Sequence, residues 1–217
     1  MSRPDNARLV IAVDGPAASG KGTLARRLAA HYGVPYLDTG LLYRMVARAV
    51  LDAGHDIHDP EAAEAAVVNL DESGFDEDRL RGREIGEAAS VVAAMPAVRS
   101  GLIARQRRFA AQPGGAVLDG RDIGTVICPR AGTKLFVTAT PEVRAARRHK
   151  ELVGRGEAAD LDGILADIRR RDARDSGRSD APLKMAEDAV LLDTSALSID
   201  EVLAAAVRIV EDRRKAA

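Results

Sequence analysis

The residues best equipped for chemistry form one continuous run, Val13-Asp14-Gly15-Pro16-Ala17-Ala18-Ser19-Gly20-Lys21-Gly22-Thr23. It follows a strand-like apolar segment, Leu9 to Val13, and opens a helical pattern, Lys21 to His31. That is the context a phosphate-cradling loop requires. Gly15 and Gly20 permit the turns that aim successive N–H groups at an anion, while Pro16, Ala17, Ala18 and Ser19 complete the loop. The start of the helix adds roughly half a positive charge, and Lys21 is placed to reach terminal phosphates. The chemistry such a loop serves is the binding and transfer of phosphoryl groups, which asks for positioning and charge neutralisation more than for covalent participation. In the general pattern the lysine is followed directly by Ser or Thr, which binds Mg²⁺. Here Gly22 intervenes before Thr23, so Mg²⁺ is expected to be held mainly by nucleotide phosphates and water. Asp119 ends the apolar run Ala116-Val117-Leu118, where it can support the metal's outer shell or simply make a turn or cap.

Arginine supplies the remaining chemistry. Its planar fork suits phosphate oxygens bidentately, whereas lysine acts as a mobile point charge. Arg147 and Arg148 lie on the helical pattern Pro141 to Leu152 and are expected to close over the donor phosphates. Arg105, Arg107 and Arg108 read as a solvated helix face. The four histidines have no metal-ligand spacing, and Cys128 reads as a small apolar filler.

These residues must be carried by a scaffold. Apolar runs at Leu9 to Val13, Ala116 to Leu118, Lys134 to Val137 and Val190 to Leu192, with a shorter one at Tyr36 and Leu37, predict strands. Helical patterns follow at Leu41 to Ala53, Glu84 to Ala94, Val98 to Ala111, Leu161 to Arg174 and Ile199 to Arg213. Alternation of this kind predicts an α/β fold with a parallel sheet flanked by helices. Two stretches depart from it: Asp56 to Ala111, helical and charged, and Val153 to Asp180, rich in Gly, Asp and Arg. Both are expected to be insertions at the carboxyl ends of the strands. A chain of 217 residues with 46% hydrophobic content supports one sizeable core. The formal net charge of -1 and an aromatic content of 3% argue against nucleic acid or a membrane surface as a partner. A single cysteine and the lack of a charged-then-apolar leader fit a cytoplasmic protein.

Four further blocks carry a family resemblance: Leu37-Asp38-Thr39-Gly40-Leu41-Leu42-Tyr43-Arg44, Asp119-Gly120-Arg121-Asp122-Ile123-Gly124-Thr125-Val126, Arg171-Asp172-Ala173-Arg174-Asp175-Ser176-Gly177-Arg178 and Ala181-Pro182-Leu183. With the Gly-Lys-Gly-Thr form of the loop, typical of nucleoside monophosphate kinases, they resemble bacterial cytidylate kinase from about Ile11 to Val210. The resemblance implies a P-loop nucleoside monophosphate kinase fold with a five-stranded parallel sheet. It implies one kinase domain, with its core at 1–55, 112–152 and 181–217, a monophosphate-binding insertion at 56–111 and a lid at 153–180. It also implies CMP and dCMP as acceptors and ATP as donor; a monomer is expected. Position by position, Arg44 and Arg121 look like the clamp on the acceptor phosphate, and Ser90, Arg99, Asp122 and Arg178 like the base readers. Arg171 and Asp175 look like sugar and phosphate contacts, while Thr39 stands where many members have Ser. Between Asn69 and Ile85, longer members carry strand-like material that this chain lacks, so no accessory sheet is expected there.

The nearest competing reading is another small P-loop kinase, acting on UMP or a metabolite, which Ser90, Arg99 and Asp122 disfavour. A nucleotide-switched binding protein finds no Asn-Lys-x-Asp segment in the chain.

Overall fold

The computed structural model describes residues 8–71, 80 and 82–216. The region between Asn69 and Ile85, where no accessory sheet is expected, falls largely outside them. Contacts divide the chain into a core unit, residues 1–37 and 110–217, and a second unit, residues 38–109.

The core unit is built on five strands, β1 (Leu9–Asp14), β2 (Tyr36–Asp38), β3 (Gly115–Gly120), β4 (Thr133–Thr138) and β5 (Val190–Asp193), in the order β2-β3-β1-β4-β5. β1 pairs in parallel with β3 and β4, and β4 with β5, in a sheet that is parallel throughout. The central strands read as continuous apolar runs because both faces of a parallel sheet are covered. Ile11 and Val13 pack with Leu24 and Leu28 of α1 (Lys21–Tyr32) and with Val202 and Val210 of α8 (Ile199–Ala216).

Local chemistry sets where the other core-unit helices begin. Thr140 caps α6 (Pro141–Gly154) by accepting from the Val143 amide, with Pro141 in the first turn. Asp160 caps α7 (Leu161–Gly177) by accepting from Gly163. The helix read at Leu161 to Arg174 is therefore present, three residues longer, within the stretch set apart by its Gly, Asp and Arg content. Ile164 and Ile168 of α7 pack against Ala145 and Leu152 of α6, an apolar seam that the sequence reading had passed over.

The second unit is helical: α2 (Thr39–Asp52), α3 (Pro60–Val68), α4 (Arg83–Val92) and α5 (Pro96–Ala110). Asp38 caps α2, and Asp59 with Pro60 opens α3. Its interior holds Leu42, Val46, Val50, Val67, Leu80, Val92, Val98 and Leu102. The compact unit begins at Asp38, so α2 goes with these helices rather than with the sheet.

Candidate functional site

β1 delivers the loop. A Cβ at Gly15 would sit 2.0 Å from the Val137 carbonyl oxygen, so only glycine allows the chain to leave β1 so close to β4. Ala18 adopts φ 59, a left-handed conformation unusual outside glycine, and Gly20 follows at φ 89 as the cap residue of α1. Gly20 offers no side-chain cap, which leaves the first amides of α1 available to an anion.

Residues far along the chain hold the loop's backbone. Arg147 Nη1 donates to the Ser19 carbonyl at 3.2 Å and to Thr194 Oγ1 at 2.9 Å, and its Nη2 donates to the Thr194 carbonyl at 2.7 Å. Thr194 Oγ1 itself lies 3.0 Å from the Ser19 carbonyl oxygen. Buried Arg144 donates to the Ala17 carbonyl at 3.2 Å and to its own cap region at Ala139. In a trans peptide the C=O and the following N–H point in opposite directions. Drawing the Ala17 and Ser19 carbonyls toward α6 therefore turns the Ala18 and Gly20 amides away from it.

Lys21 Nζ lies 3.9 Å from Asp119, whose carboxylate also accepts from the Tyr36 hydroxyl at 2.9 Å. Asp119 is buried at the end of β3, an extended strand position rather than a helix cap. Beside it, a side chain at Gly22 would meet both Asp119 Oδ2 and the Tyr36 hydroxyl, at 3.5 and 3.6 Å from its Cβ. The glycine that replaces the usual Ser or Thr thus borders the carboxylate. A buried carboxylate beside the loop lysine suits outer-shell support of a Mg²⁺ whose own ligands are phosphates and water.

The second cluster of the core unit centres on Asp175, on α7. It accepts from Arg121 Nε at 2.7 Å and from Arg178 Nη2 at 2.8 Å. Burial opposes ionisation there, but Arg121, Arg171 and Arg178 outweigh it and hold the carboxyl below its ordinary range. Arg144 joins this cluster to the loop through a forked pair with Asp172, at 3.0 and 2.5 Å. After Asp122 the chain forms a π-helical turn, Ile123–Ile127, in which the Asp122 carbonyl accepts from Val126 and Ile127.

Within the helical unit, Arg44 donates to the Leu80 carbonyl at 2.6 Å. Arg99 is fully buried, with its Nη1 3.4 Å from the Tyr43 hydroxyl. Ser90 is 3% exposed, and its Oγ has no hydrogen-bond partner among the described residues. A buried hydroxyl in that state is positioned to meet a ligand. Thr39 is buried in the first turn of α2.

The structure thus brings Lys21 to Asp119, and Arg121 and Arg178 to Asp175. Arg147, expected over the donor phosphates, is bonded to the loop's own backbone, and Arg148 pairs with Glu151 one turn along α6 at 2.8 Å. Sequence reasoning missed Asp14, Tyr36, Arg144, Asp172 and Thr194. Arg144 did carry a signal, since it lies three residues before Arg147 on one helix face. No single helix among the described residues is long and apolar enough to cross a membrane.

A family model described as cytidylate kinase matches residues 11–212. A cytidylate kinase of Xanthobacter autotrophicus is 65% identical over 206 residues, covering 95% of this chain and 99% of that protein. One from Methylocella silvestris is 63% identical over 203 residues, 94% of each. Among solved structures, an uncharacterized protein from Eubacterium ventriosum superposes with a TM-score of 0.56 over 94% of this chain and 99% of that one. At 15% identity it is a likeness of fold alone.

Proposed function

The chain belongs to the cytidylate kinase family and phosphorylates CMP and dCMP with ATP, and we propose how its residues divide that work. The observation that carries the proposal is the loop whose Ala17 and Ser19 carbonyls are held by Arg144 and Arg147, with Lys21 beside Asp119. Backbone amides of Gly15 to Thr23 receive the donor's phosphates, and Lys21 follows the charge of the transferred group. When bound, Mg²⁺ neutralises the donor phosphate oxygens, and Asp119 would hold it through water. Arg148 exchanges its partly exposed Glu151 partner for a donor phosphate, a cheap exchange because such pairs contribute little. Arg147 keeps the loop in shape.

On the acceptor, Arg44 and Arg121 bind the phosphate, and Arg171 and Asp175 serve the sugar, with the hydroxyl of Thr39 assisting. Cytosine offers an amino donor at C4 and acceptors at N3 and O2. Asp122 accepts from the amino group; Arg99, Ser90 and Arg178 serve the rest of the edge. Uracil reverses part of that edge, and each mismatched buried group costs roughly 1 to 3 kcal/mol. CMP is therefore expected to be preferred over UMP by at least one to two powers of ten. A coupled ATP-to-ADP assay across CMP, dCMP, UMP, AMP and shikimate tests the assignment, together with Asp122→Asn. The variant is expected to narrow the CMP-to-UMP ratio, because its amide can donate to the uracil carbonyl. A ratio left untouched would remove Asp122 from base reading.

A further inference from the structure

Asp14 is the last residue of β1, directly before the loop glycine Gly15, and none of the roles above uses it. Its side chain is 5% exposed, and its two carboxylate oxygens have separate duties: Oδ1 accepts from the Ile123 amide at 2.8 Å and Oδ2 from the Gly124 amide at 2.7 Å. Its backbone lies in register with Gly120 at the end of β3. Arg121 and Asp122 are therefore the whole of a two-residue span. The ladder fixes one end of it next to Asp14, and the Asp14 carboxylate fixes the other. The fit at the far end is close. A Cβ on Gly124 would lie 3.3 Å from Asp14 Oδ2 and 3.1 Å from Lys134 Cδ, so glycine permits the approach.

We propose that Asp14 is a positioning residue for the acceptor: by holding the Ile123 and Gly124 amides it sets the direction of Arg121 and Asp122, and it ties that setting to the donor loop beginning at the next residue. The proposal rests on the reading of Arg121 and Asp122 as acceptor contacts. It requires a carboxylate rather than an amide, because each N–H meets its own oxygen and asparagine would set an NH₂ donor against one of them. It also requires the ionised form. The charged groups that face Asp14 are Arg121 and Asp122 on the span, and Lys134 on β4, whose ammonium is occupied by the Pro129 carbonyl and Asp188. Burial pushes the Asp14 carboxyl up to about 6, against the two amide bonds that favour its charge. Acidification toward pH 5.5 therefore protonates one oxygen and releases an amide.

The test is Asp14→Asn in the full chain, with steady-state kinetics in CMP and in ATP and equilibrium binding of CMP at pH 7.5 and 5.5. At pH 7.5 the KM for CMP is expected to rise about tenfold, the effect of losing one charge-assisted bond, while the KM for ATP rises far less. The ratio of variant to wild-type dissociation constant for CMP should shrink toward one at pH 5.5, where most of the wild type's own Asp14 carboxylate is protonated. The acceptor's phosphate titrates near pH about 6 as well, but equally in both proteins, so it cancels in the ratio. Equal rises in both KM values, or a ratio independent of pH, would overturn the proposal. If the variant does not fold, amide exchange on the wild type replaces it. Protection of Ile123 and Gly124 should fall on acidification relative to Val117 in β3, and constant relative protection overturns the idea. Arg121→Ala distinguishes the two layers of inference. If it impairs CMP use while Asp14→Asn does not, the positioning role is wrong and the acceptor reading stands. If Arg121→Ala spares CMP use, the acceptor reading fails and the proposal fails with it.

Discussion

Asp14 and Asp175 are two buried aspartates of the same unit, and their surroundings push them in opposite directions. Desolvation outweighs the two backbone amides at Asp14, and the attraction of Arg121 is offset by the repulsion of Asp122, so its carboxyl is raised to about 6. Asp175 is similarly buried, yet Arg121, Arg171 and Arg178 together outweigh desolvation and lower it. The difference teaches that burial alone does not decide the charge state of a carboxylate at a phosphate-handling site. Here three arginines outweigh desolvation at Asp175, while two backbone amides do not outweigh it at Asp14. Asp175 stays an anion through the mildly acidic range and spaces three arginines; Asp14 is an anion only above about pH 6.

The largest effect expected lies outside both centres, since neither touches the transferred group. Lys21→Ala should lower kcat by roughly a hundredfold or more, as removal of one transition-state donor does, with an unchanged circular dichroism spectrum. A folded variant with near-normal turnover would mean that the loop does not receive the donor.

Next comes Asp175→Ala, which leaves Arg121 and Arg178 without the carboxylate they share. Breaking a buried pair by removing one partner costs about 3 kcal/mol or more, and urea denaturation should register that loss. A loss under about 0.5 kcal/mol would place Asp175 among exposed, weakly coupled charges.

The pH dependence of stability separates the two aspartates by sign. Asp175 has a depressed folded pKa, so its contribution is present above the unfolded value of 3.8 and is lost as pH falls below it. Asp14 has a raised folded pKa, so the folded state binds the extra proton, and stability falls as pH rises from 3.8 to about 6. The span corresponds to on the order of 2 to 3 kcal/mol at most. Asp14→Asn should flatten stability between those limits, and Asp175→Asn should flatten the limb below them. Denaturation midpoints measured from pH 3 to pH 7 check both, and identical profiles for the two variants would erase the contrast.

The smallest effect is expected at Ala18. Its left-handed backbone costs about 1 to 2 kcal/mol, and glycine would recover this at an entropic cost of roughly 0.5 to 1 kcal/mol. Ala18→Gly should therefore raise stability by no more than about 1.5 kcal/mol. A large loss in thermal unfolding would show that the Ala18 side chain packs rather than merely tolerates its conformation.

The strands and most helices were legible in the sequence, because apolar runs and the 3.6-residue period are local signals, and so was the Gly15 to Thr23 loop, whose residues are contiguous. The long helix α7 was read over most of its length, but its apolar seam of Ile164 and Ile168 was hidden by the charged residues around it. The π-helical turn Ile123–Ile127 has no periodic signature at all. Asp14, Arg144 and Arg147 were decided only by the tertiary structure. Asp14 meets amides 109 and 110 residues away, and the two arginines meet loop carbonyls 127 and 128 residues away. Backbone amides and carbonyls carry no residue identity, so a side chain that serves them leaves no pattern in the sequence. Only the parallel sheet, which brings the ends of β1 and β3 side by side, creates the partners that Asp14 holds.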